Sequence, residues 1–344
     1  MTATLPHASY PEAEQIKTLL DAAQHVVVMQ ADNPDGDSLG SALALEQILA
    51  DLGKEPYLYC GVHIPDYLHH MAGWDRVSNE FPRQFDLTII VDTSADSLFG
   101  VLNGSSDRAT VGSKPCIVLD HHDVEPDIPY ASVVCNPQAV ATGEVIYELA
   151  QQLGWPLDQT AAKMIVSSIM SDSLGLTSEG TSARSIHIIG NLVDLGVSIA
   201  ELENNRRELM RKSAELTAYK GLLLQRVEYF GDGRIAVIHI PWAEIERYSH
   251  AYNPSMLVID DMRFTTGVDI AIAFKTYQDG KITAKIRCNY GKTIASELAK
   301  RFGGGGHPYA SGFKTDASQS YDMVKQDCIA AATELLDNLE GTAN

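Results

Sequence analysis

A chain of 344 residues, 45% of them hydrophobic, 21% charged and 7% aromatic, can bury the cores of two or three globular domains. No apolar run approaches the roughly eighteen residues of a membrane span. With a formal net charge of −19 and no basic stripe of the kind that tracks long duplex nucleic acid, either no nucleic acid is bound or the substrate is small, anionic and held locally.

Residues 1–22 carry no basic-then-apolar leader, and a cytoplasmic location is expected. Short apolar runs then alternate with helical patterns, as in an α/β domain whose parallel sheet is flanked by helices. Strands are predicted over 25–30, 56–59, 87–92, 116–120 and 132–135, and helices over 38–52 and 142–153. A more continuously helical stretch runs from 158 to about 211, with a break near 171–181. Cys60, Cys116, Cys135, Cys288 and Cys328 are odd in number and lack a Cys-x-x-Cys pair, so they read as small core residues rather than zinc ligands or disulfides.

Three of the predicted strands end in acids or imidazoles. The first runs into Asp35-Gly36-Asp37, where glycine lets two carboxylates splay apart; the simpler reading is an Asp-rich turn that caps a helix. The second ends in Asp92, and the third in Asp120-His121-His122, where Asp120 stands ready to fix an imidazole tautomer. Asp172 closes an apolar helical segment. Ligands bind beyond the carboxyl ends of parallel strands, and a cysteine-free set of carboxylates and imidazole suits Mn²⁺ or Mg²⁺.

The pattern changes after about Leu222. Strands are predicted over 234–240, 268–277 and 281–288, the last two joined by a tight turn at Asp279-Gly280. A helix over 293–301 runs into Gly303, Gly304, Gly305, Gly306 and His307, and a last helix covers 318–339. The glycine run is read as a nest of backbone N–H groups for a phosphate, with His307 and Arg287 as directed partners. The expected division is a metal-binding domain over 1–211, a helical connector over 212–222 and a smaller α+β substrate-binding domain over 223–344.

Asp35-Gly36-Asp37, Asp92, Asp120-His121-His122 and Asp172 resemble the four motifs of the DHH phosphoesterases. Gly303 to His307 with Ser311-Gly312 is similar to the signature of the DHH-associated C-terminal domain. The likeness is greatest to the oligoribonuclease/3′-phosphoadenosine 5′-phosphate phosphatase branch. It implies two Mn²⁺ ions, with Asp35 on the first, Asp37, His121 and Asp172 on the second, and Asp92 bridging. It also implies His122 at the scissile phosphate, with Arg287 and His307 on the remote end of a substrate held between the domains, and a homodimer. The expected reaction is hydrolysis of short oligonucleotides such as pApA, or of 3′-phosphoadenosine 5′-phosphate to AMP. One position departs: Ala31 stands where the family carries a histidine ligand of the first metal, with Asp32 beside it as a possible substitute. A weakened, nucleotide-sensing protein is therefore a second reading, and a pyrophosphatase or polyphosphatase a third.

Overall fold

In the computed structural model, which describes residues 9–341, the chain divides between Arg211 and Lys212 into two compact units with separate cores. The first opens with α1 (Ala13–Asp21), β1 (His25–Gln30), α2 (Gly36–Asp51), β2 (Glu55–Cys60) and β3 (Leu87–Val91). It continues through the short helices α3 (Gly100–Asn103) and α4 (Asp107–Val111), then β4 (Cys116–Leu119) and β5 (Val133–Cys135). Four helices complete it: α5 (Thr142–Leu153), α6 (Gln159–Asp172), α7 (Ala183–Asp194) and α8 (Ile199–Leu209).

The five strands form one sheet in the order β2-β1-β3-β4-β5, every pair parallel. Both faces are covered, so β3 is buried at every residue and shows no polar alternation. The helix over α2 is unusual in being buried from Gly36 through Leu45. It is enclosed between the sheet and α6, and small residues allow the approach: a Cβ on Gly40 would lie 2.9 Å from the Met164 carbonyl oxygen and 3.0 Å from the Ser168 nitrogen.

The second unit contains α9 (Ala214–Leu224), β6 (Glu228–Phe230), β7 (Ile235–Ile240), α10 (Trp242–Tyr248), α11 (Pro254–Arg263), β8 (Ile270–Thr276) and β9 (Ile282–Cys288). It ends with α12 (Ala295–Arg301), β10 (Gly305–Gly306), β11 (Ala310–Thr315) and α13 (Tyr321–Gly341). Its sheet runs β10-β11-β9-β8-β7-β6, with only β7 and β8 parallel. The stretch 212–222, expected as a helical connector, is mostly helical, as α9, and its helix packs as part of this unit: Leu216, Tyr219 and Leu223 are buried in the unit's own core. The glycine block, read as a phosphate nest, enters the sheet in part as β10, and β11 follows it. All five cysteines are free and buried. Among the described residues no single helix is long and apolar enough to cross a membrane.

Gly40→Ala gains helix propensity of up to ~1 kcal/mol but pushes a methyl group into the α6 backbone. A net loss of about 1–2 kcal/mol is expected, seen as a lower urea midpoint at unchanged slope. Gly190→Ala on α7, where a Cβ meets nothing within 4 Å, is expected to be neutral or stabilising.

Candidate metal centre

The strand order reverses between β1 and β3, the crevice in which sheets of this order bind ligands. Asp37 enters it from the first turn of α2, Asp92 from the residue after β3, and His121 from the loop after β4. Asp172 arrives on the last turn of α6, which packs along α2. The four side chains converge on one atom. His121 Nε2 lies 3.3 Å from Asp172 Oδ2, 3.4 Å from Asp37 Oδ2 and 3.4 Å from Asp92 Oδ1.

None of these three contacts has hydrogen-bond geometry, and Nε2 is buried without a partner. The other ring nitrogen, Nδ1, is 3.2 Å from the Ala139 carbonyl oxygen. A carbonyl only accepts, so Nδ1 donates to it, and Nε2, once it gives up its own proton, has a lone pair free for a cation held among the three carboxylates. Three oxygens and one imidazole nitrogen around an orphaned buried atom form a donor set that fits a hard divalent cation. Asp37, His121 and Asp172 can together offer atoms to one ion, and Asp92, His121 and His122 form an overlapping set.

The chain holds this cluster together with groups that give no motif of their own. Asp37 is fully buried and accepts from the backbone N–H of Thr142 at 2.7 Å and of Gly143 at 3.4 Å, at the positive end of α5. Ser41 Oγ at 3.1 Å and Ser168 Oγ complete its surroundings. The Thr142 hydroxyl donates to Asp92 Oδ1 at 3.2 Å. Ala141 holds the N-cap position of α5 and Thr142 is the first helical residue, which turns its hydroxyl into the cluster. Asp92 sits at φ 64, a left-handed conformation that a non-glycine residue holds only under constraint from its surroundings. Ser168 was legible in principle: it lies four residues before Asp172 on an apolar helix, hence on the same face.

Three expected roles change. Asp120 is buried, and its Oδ1 accepts from His122 Nδ1 at 2.8 Å, so it orients His122; the Ala139 carbonyl does this for His121. Burial alone would raise the Asp120 carboxyl, but hydrogen bonds, that from His122 foremost, hold it below the ordinary range. Asp35 is the N-cap of α2, its Oδ1 accepting from the N–H groups of Asp37 and Ser38 at 3.0 Å each, and it falls in neither of the two candidate ligand groups among the described residues. Asp32, the possible substitute for the missing imidazole, turns its Oδ2 to the N–H of Val101 at the start of α3, at 2.7 Å, and falls in neither candidate ligand group among the described residues. Ala31 is buried and its carbonyl accepts from Cys60 Sγ.

In the second unit the nest reading fails for part of the glycine run. The N–H groups of Gly303 and Gly304 bond the Lys300 and Ala299 carbonyls and close the end of α12. Gly305 and Gly306 pair with Gly312 and Ser311 in the sheet. A Cβ on Gly304 would strike the Gly312 carbonyl and Phe313, so this glycine serves close strand packing. His307 is exposed at the head of the β10–β11 hairpin, its N–H on the Ala310 carbonyl. Arg287 is paired in register with Ala271 on β8 and Ala310 on β11, and Lys285 with Ala273 and Gly312. Small neighbours thus leave two cations standing on one face of the sheet.

Burial, then the Asp172 charge, raises the Asp37 carboxyl; burial, then Asp37, raises Asp92 well above its ordinary value. Burial lowers His121, but Asp172 and Asp92 overcome it and push the imidazole up to about 11. The metal-free cluster therefore holds protons at neutral pH, and a cation must displace them. Mn²⁺ binding is expected to release protons and to tighten as pH rises from 6 to 8. Calorimetric titration in two buffers of different ionisation enthalpy checks this, and equal heats in the two buffers would contradict it.

The description "DHH family, N-terminal domain" matches residues 25–171, and "DHHA1 domain" matches residues 248–338. The chain is 24% identical over 306 residues to the bifunctional oligoribonuclease and PAP phosphatase NrnA of Bacillus subtilis, covering 88% of this chain and 93% of that one. The same-named protein of Thermus thermophilus is 24% identical over 85% of each chain. A crystal structure of an exopolyphosphatase-related protein from Bacteroides fragilis superimposes with a TM-score of 0.82 at 19% identity, covering 98% of this chain and 100% of that one, and so shares the fold. With both domain types present and the motif residues gathered at one set of strand ends, the chain belongs to the DHH family of phosphoesterases and carries a DHHA1 domain behind its DHH domain.

Proposed function

We propose that this phosphoesterase uses Mn²⁺, with Mg²⁺ as the alternative ion, to hydrolyse very short oligonucleotides such as pApA to nucleoside monophosphates, and 3′-phosphoadenosine 5′-phosphate to AMP. The observation that carries the reading is the convergence of Asp37, Asp92 and Asp172 on an unpartnered His121 Nε2 at the strand ends. The oligoribonuclease and PAP phosphatase activities for which the NrnA relatives are named support the substrate class. A net charge of −19 agrees with a short substrate, since no long backbone has to be followed.

Asp37, Asp92, His121 and Asp172 would hold the ion, which, when bound, supplies an acidified water and neutralises charge on the phosphoryl oxygens. The remaining work belongs to the chain. Asp120 locks the His122 ring by accepting from Nδ1, and the hydrogen bond raises the imidazole above its ordinary value, which favours a proton on Nε2. His122 is half-exposed, so that Nε2–H can reach a phosphate oxygen of the substrate. Arg287, and His307 on its hairpin, are assigned to the part of the substrate that does not react.

Ala31 favours a second reading, in which one ion site is weak and the protein binds nucleotide with little turnover. Its support is specific, because Asp32 faces Val101 and Asp35 is engaged as a helix cap. Stopped assays of pApA, 3′-phosphoadenosine 5′-phosphate and polyphosphate with and without Mn²⁺ separate the readings. The proposal expects Mn²⁺-dependent release of AMP from the first two, lost in Asp37→Asn and His121→Gln. Binding without turnover, with turnover gained in Ala31→His, supports the weakened-site reading; polyphosphate as the sole substrate overturns both.

Two substitutions test the supporting roles. Thr142→Val removes one hydroxyl from Asp92 but keeps the N–H that serves Asp37, and is expected to weaken metal binding about 10–100-fold. Arg287→Met is expected to raise KM by about 10–100-fold with kcat little changed, the loss of one charge-assisted hydrogen bond outside the reacting group.

A further inference from the structure

The second unit contains a cavity of about 490 Å³ that neither Arg287 nor His307 lines. Its walls include Lys275 of β8, Lys285 of β9 and Lys314 of β11, together with Asn253 and Ser255 at the start of α11. No aspartate or glutamate lines it, although the chain has 45 acidic residues against 26 lysines and arginines. The register explains the grouping. Lys275 and Lys314 both pair with Thr283, and Lys285 lies two residues further along β9 on the same face.

We infer that this cavity is an anion pocket for the phosphomonoester group of a nucleotide, separate from the position of Arg287 and His307. Lys275 is only 8% exposed, and its Nζ donates to Asn253 Oδ1 at 2.6 Å, which leaves two N–H bonds for a ligand. Neither it, Lys285 nor Lys314 is in an ion pair among the described residues. An ammonium group buried without a carboxylate carries an uncompensated desolvation cost that a dianion would offset. Burial, and then the neighbouring Lys285 charge, push Lys275 down to about 8.

A hydroxyl makes the same case independently. Ser255 is 1% exposed, lines the cavity, and its Oγ has no hydrogen-bond partner. It stands in the first turn of α11, a ten-residue helix whose positive end adds to the field of the lysines. Tyr277 contributes an aromatic ring to the lining, and the volume falls within the range of small-ligand pockets. The phosphate follows from the cavity's own chemistry; only the nucleoside attached to it rests on the proposed function.

Calorimetric titration of the full-length chain in EDTA, where no turnover occurs, tests this with AMP, adenosine and inorganic phosphate. AMP is expected to bind at least tenfold more tightly than adenosine, with inorganic phosphate competing. Lys275→Met and Lys285→Met should each weaken AMP at least tenfold, and Ser255→Ala at least threefold. Lys281→Met makes the same charge change at an exposed lysine paired with Asp279 and should stay within twofold. Ser255→Ala keeps the question answerable if a lysine variant fails to fold. AMP affinity unchanged in all three pocket variants, or adenosine binding as tightly as AMP, overturns the inference. Asp37→Asn should bind AMP normally, so the pocket stands or falls apart from hydrolysis at the metal centre.

Discussion

Three carboxylates packed within 3.4 Å of one imidazole nitrogen are the constraint around which the first unit is arranged. Burial and the neighbouring carboxylates raise Asp37 and Asp92, and the same carboxylates lift His121 to about 11 against its burial, so without a cation the groups retain protons. The surrounding chain supplies what the cluster cannot. The N–H groups at the start of α5 and the hydroxyls of Ser41 and Ser168 hold Asp37, and Thr142 holds Asp92. Small residues where α2 meets α6 let those helices approach closely enough to bring Asp37 and Asp172 together. Packing and chemistry therefore share residues, and a methyl group added at Gly40 acts on both.

Much of this was legible in the sequence because apolar strands ending in Asp or His are a strong local signal. The five strands of the first sheet appear where the apolar runs place them, to within a residue or two, and Asp37, Asp92, His121 and Asp172 meet. The partners of those residues were harder to read. Asp120 lies next to His121 in sequence but bonds His122, since a side chain's reach is set by the turn after β4 and not by adjacency. The group that fixes His121 is a main-chain carbonyl at Ala139, which no residue-type pattern can announce. Asp35 caps α2 through Oδ1, the simpler reading of the Asp-Gly-Asp spelling, and both cap bonds leave Oδ2 out.

The second unit was less transparent for a related reason. A run of four glycines permits a phosphate nest and permits close strand packing, and only the hydrogen-bond partners distinguish them. Here Gly303 and Gly304 close α12 while Gly305 and Gly306 extend the sheet. The cations on β8, β9 and β11 are spread over forty residues of sequence, and register alone gathers them on one face. That face also reconciles a strongly acidic chain with anionic ligands: positive charge is concentrated where small residues leave room, and the acidic surplus lies elsewhere.

The central claim is that His121 Nε2 and the three carboxylates are a metal site. Anomalous scattering at the manganese edge from crystals of the protein grown with Mn²⁺ tests it most directly. A peak within bonding distance of His121 Nε2, Asp37, Asp92 and Asp172 is the expected result. A map with no peak there, with His121 bonded instead to one of the carboxylates, would contradict it.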